Sequence, residues 1–73
     1  MVKTTLKTIK NLVKNNIAIN ITTLSNEECK KIEVEEKLYI SCGIYGMNGG
    51  AFRGKDGNIY AITSRNSNLF YFF

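Results

Sequence analysis

The sequence predicts an α+β domain in which two N-terminal helices pack on a three- or four-stranded antiparallel β-meander. Three observations carry that expectation. Apolar residues recur at helical spacing near the amino end; a capping signature follows at residues 25–28; and the period changes to two after Lys37, with turn residues between the alternating runs. Seventy-three residues make one domain, of a size at which a single apolar core only just outweighs chain entropy. A hydrophobic content of 44% with 22% charged residues is that of a globular chain rather than a disordered one.

Leu6, Ile9, Leu12, Val13 and Ile17 fall at helical spacing and Thr4 or Thr5 can cap, so the first helix is expected from about Thr4 to Asn15. Ile17, Ile19 and Ile21 then alternate with Ala18, Asn20 and Thr22, the period of a short half-buried strand or an extended connector. In Leu24-Ser25-Asn26-Glu27-Glu28-Cys29, the Ser25 hydroxyl can accept from the Glu28 amide while the Glu28 carboxylate reaches back. That is a capping box, with Leu24 and Cys29 as its hydrophobic staple. It starts a second helix expected to run to about Glu33 or Glu36, on the same face of the sheet as the first.

From Lys37 the run Leu38, Ile40, Cys42, Ile44 alternates with Tyr39, Ser41, Gly43, Tyr45, as a strand buried on one face requires. Cys42 to Gly54 holds five of the six glycines, and Gly46-Met47-Asn48-Gly49-Gly50 is expected to turn the chain, because Asn-Gly and Gly-Gly adopt positive φ at little cost. A brief strand from Ala51 to Gly54, a hairpin at Lys55-Asp56-Gly57 and a strand from Asn58 to Thr63 follow. Ser64 to Asn68 is a polar loop. Leu69 to Phe73, with three Phe and one Tyr, is either a fourth strand or an anchor in a homodimer or partner interface.

Composition limits the chemistry. Histidine is absent, Asp56 is accounted for by a turn, and Glu33, Glu35 and Glu36 form a solvated run. Cys42 shares the apolar face of its strand and has no base nearby. No enzyme activity and no cofactor are therefore expected. Cys29 and Cys42, in a chain without a secretory signal, read as unpaired thiols buried as small hydrophobes, with too few ligand types for zinc. The longest apolar stretch is far below the roughly twenty residues that span a bilayer, so no membrane partner is expected and the compartment is taken as cytoplasmic.

In the meander, the glycine-rich turn and the Ser64–Asn68 loop share one edge. Tyr45, Asn48, Gly49, Gly50, Arg53, Arg65 and Asn66 would meet there as a partner- or ligand-binding surface, extended by Phe70 to Phe73. The expected function is a non-enzymatic protein-interaction module of the kind phages and mobile elements use to inhibit a host protein. That last step rests on association of size and composition. Two alternatives stand beside it. Every ionisable side chain before Glu27 is a lysine, and Lys3, Lys7, Lys10 and Lys14 would form one helical stripe suited to nucleic acid. The glycine-rich edge could instead hold a small phosphorylated ligand or nucleotide on exposed amides and an arginine.

Overall fold

A computed structural model describes the backbone of residues 2–43 and 46–63 together with Phe72, and the side chains of residues 4–40, 49–63 and 72. In chain order the elements are β1 (Val2–Thr4), α1 (Leu6–Lys14), β2 (Ile19–Asn20), a 3-10 turn (Ile21–Thr23), the single helical turn α2 (Asn26–Lys30), β3 (Val34–Gly43), β4 (Gly46–Gly54) and β5 (Ile59–Ile62). The expected α+β class holds. Among the described residues there is one sheet, of four strands of three residues or more plus the two-residue β2, in the order β1-β3-β4-β5-β2.

The predicted meander is its centre, β3 against β4 against β5. The sheet is nevertheless mixed. Segment 2–4, expected to lead into the helix, forms β1 parallel to β3, and β2 runs parallel to β5 on the far edge. α1 carries the chain from β1 at one edge of the sheet to β2 at the other.

Local signals place α1 well. Thr5 caps its start, the hydroxyl accepting from the Thr8 amide at 3.3 Å. Asn16 ends it at φ 59, with Ile17 N–H on the Leu12 carbonyl (2.8 Å) and Asn16 N–H on that of Val13 (3.0 Å), a Schellman closure. The Ser25–Glu28 capping box forms in both directions at 3.2 Å. The helix it opens stops at Lys30, short of the expected Glu33 or Glu36. Ile32 and Val34 pack into the same cluster as Cys29, and that two-residue period is strand, not helix.

The two helical pieces lie on opposite faces rather than on one. Ile9 and Ala18 pack with Ala61, joined by Leu12, Val13 and Ile59, on one side. Ile21 and Cys29 pack with Phe52, Tyr60, Ile62 and Phe72 on the other. The chain changes sides between Ala18 and Ile21, around the β2 edge. β5, Ile59-Tyr60-Ala61-Ile62, is apolar without interruption because both of its faces are covered. Phe72 is buried in the chain's own core, its ring stacked on Phe52 at 4.9 Å; the rest of Leu69–Phe73 and the Ser64–Asn68 loop lie outside the described residues.

The glycine-rich segment is not a turn. Gly43 pairs with Gly46 at the end of the β3–β4 ladder, and Gly46 to Gly54 is one continuous strand. A Cβ on Gly49 would lie 2.2 Å from the Ile62 carbonyl oxygen and 3.1 Å from Leu6 Cδ1, so glycine is there to admit a neighbouring backbone and the helix above it.

Gly49→Ala should therefore destabilise the fold by about 1–3 kcal/mol, the usual range for overpacking, read as a lower urea midpoint. In an open strand the same change would stabilise by roughly 0.5–1 kcal/mol, so a raised midpoint would contradict the close approach.

Candidate functional site

On the face opposite α1, a groove of about 320 Å³ opens between α2 and the β4–β5 hairpin. Ile19, Leu24 and Ile32 supply its apolar lining; Glu28, Lys31 and Asp56 stand around it with Tyr60. Each is placed by a local device. Glu28 is held by the capping box and Lys31 is the C-cap of α2, so their relative position is set within one helical turn.

Asp56 belongs to the hairpin. Gly57, at φ 88, lets the chain reverse, and Gly54 N–H donates to the Asn58 carbonyl at 2.8 Å. The Asp56 carboxylate accepts from the Asn58 amide N–H (2.9 Å), from Asn58 Nδ2 (3.3 Å) and from the Tyr60 hydroxyl in a short hydrogen bond. The Tyr60 bond, followed by the Asn58 amide, holds the Asp56 carboxyl below its ordinary value. The same bond, with burial second, pushes the Tyr60 phenol up. The Tyr60 ring stacks on Phe52 at 5.4 Å, so an exposed turn is tied to the middle of the core through one side chain.

Cys29, under the groove, donates its thiol weakly to the Ile21 carbonyl at 3.7 Å. Burial, then the nearby Glu28 carboxylate, raise its pKa, which keeps it protonated and unreactive near neutrality.

The sequence-predicted surface is not assembled as expected. Gly49 and Gly50 are buried in mid-strand, Gly49 paired with Ser41, Gly50 with Ile40 and Ile62, so they form no exposed nest of amides. Asn48 lies on β4 beside them. Arg53 sits towards the other end of β4, its guanidinium on Glu36 at 2.8 Å. Tyr45, Arg65 and Asn66 lie outside the described residues. Of the lysine stripe, Lys7, Lys10 and Lys14 are exposed on α1, whereas Lys3 belongs to β1 and not to the helix.

Sequence reasoning missed two features. The Asp56–Asn58–Tyr60 cluster had a faint sign, donors two and four residues beyond a turn aspartate. Ile17 and Ile19 had none, since their alternation reads as burial; they are 53% and 41% exposed. No family model, no curated protein and no solved structure matches the chain.

Because the folded pKa of Asp56 is depressed, its contribution to stability is present above the unfolded value near 3.9 and is lost as pH falls through the folded value. Tyr60→Phe should move the Asp56 carboxyl titration up towards that ordinary value and shrink the loss of stability on acidification. NMR titration of Asp56 together with urea unfolding at stepped pH reads both, and an unmoved Asp56 would break the assignment.

Proposed function

We propose that the chain is a non-enzymatic protein-interaction module that docks an extended segment of a partner protein along the β2 edge, with one apolar side chain entering the groove beside Ile19. The observation that carries this reading is Ile19 itself, both 41% exposed and part of the groove lining, with Ile17 at 53% next to it in sequence. A domain with so little core gains from every apolar side chain it buries, roughly 1.5–3 kcal/mol for a full isoleucine, so two left in water mark a surface suited to a partner.

Two further features support it. β2 ends the strand order, so its outer side pairs with no described strand, and an extended peptide adds to such an edge through main-chain hydrogen bonds. Around the groove stand two carboxylates, Glu28 and Asp56, against one ammonium, Lys31, which favours a basic side chain next to the apolar one. The non-enzymatic part rests on chemistry: the Cys29 thiol is pushed away from its nucleophilic form, and Asp56, held ionised by its donors, is a poor proton carrier near neutrality.

Selection from a displayed library of random short peptides tests the proposal with a defined probe. Enriched sequences should pair an aliphatic or aromatic residue with Lys or Arg, and Ile19→Lys should weaken them at least about tenfold, or 1.4 kcal/mol, without loss of the folded state. The absence of any enriched sequence, or binding indifferent to Ile19→Lys, would remove the groove from the account.

A further inference from the structure

The face of α1 turned away from the sheet is not used by the groove, and it has one sign. Lys7, Lys10 and Lys14 are all exposed, on a helix without an acidic residue. At about 100° per residue they fall within one narrow stripe, with Thr8 and Asn11 exposed beside them. Among the described residues the ion pairs are Arg53–Glu36 and Lys55–Glu33, so no described carboxylate pairs with these three ammonium groups. The groove carboxylates Glu28 and Asp56 stand on the other side of the sheet.

We infer that this face docks on duplex nucleic acid, gripping its phosphates without reading base sequence. Three features choose that partner. The apolar side of α1 is consumed by the sheet, Ile9 being fully buried, so the helix has nothing to insert into a lipid surface. A short stripe of charge gains most from the densest regular array of opposite charge, and a duplex carries about one per 1.7 Å of axis. Lysines with Thr and Asn between them supply phosphate donors but no arginine fork for base edges, which makes the contact sequence-independent.

The test is an anisotropy titration of a labelled duplex of arbitrary sequence with the full chain at several salt concentrations. Three phosphate contacts predict a slope of log K against log salt of about −2.7, a loss of about 40-fold between 50 and 200 mM. Each of Lys7→Gln, Lys10→Gln and Lys14→Gln should reduce the slope by roughly one unit, whereas Lys30→Gln, on α2 across the sheet, should not change it. These are surface changes, and an unaltered melting temperature verifies the fold of each variant. No binding at low salt, a slope indifferent to the three lysines, an equal effect of Lys30→Gln, or equal binding by anionic lipid vesicles would each overturn the inference. The groove is untouched by these substitutions, so its own test stands or falls separately.

Discussion

The close approach of α1 to the sheet is the contact on which the rest of the molecule depends. It is possible because that face of the sheet is built from residues with almost no side chain: Gly49, Ala51 and its cross-strand partner Ala61. With Leu6 lying over Gly49 and Ile9 fully buried above Ala61, the helix bridges the meander and delivers the chain to the far edge. A bulkier residue at Gly49 would have to displace a backbone carbonyl, which unlike a side chain has no rotamer to escape into. The glycine-rich stretch that resembles a ligand cradle is thus a floor for a helix.

The large residues are consequently on the other face. Phe52, Tyr60, Ile62 and Phe72 fill the space under the 3-10 turn and α2, and the stack of Tyr60 on Phe52 on Phe72 forms its centre. A five-residue helix has no stability of its own, so α2 persists because its capping box satisfies two amides at its start, those of Ser25 and Glu28, and Cys29 anchors it in that cluster. The groove is the gap left where such a short element covers the sheet incompletely. Tyr60 belongs to both regions: its ring is core and its hydroxyl holds Asp56 at the rim.

Covering both faces of a sheet also separates charge. Lysines are the only ionisable side chains before Glu27 and five of the six acids lie between Glu27 and Glu36, a polarity along the chain. Folding turns part of it into a polarity across the sheet, with Lys7, Lys10 and Lys14 on one side and the carboxylates of the groove on the other. The two surfaces therefore differ in chemistry, one polar and basic, one apolar with a net acidic rim, and they lie on opposite sides of the sheet.

Elements whose stabilising contacts lie within a few residues were legible from the sequence alone: the Thr5 cap and Asn15–Asn16 stop of α1, the Ser25–Glu28 box and the Asp56–Gly57 hairpin. Their hydrogen bonds close over two to five residues, so residue type and spacing suffice. The exposed lysines of α1 were legible for the same reason, Lys3 excepted. Tertiary structure alone decided the pairing of Val2 with Tyr39 and of Ile19 with Tyr60, the passage of the chain around the β2 edge, the exposure of Ile17 and Ile19, and the role of Gly49. These depend on partners some forty residues away or on the fit between two backbones, and neither leaves a periodic mark in the neighbouring sequence.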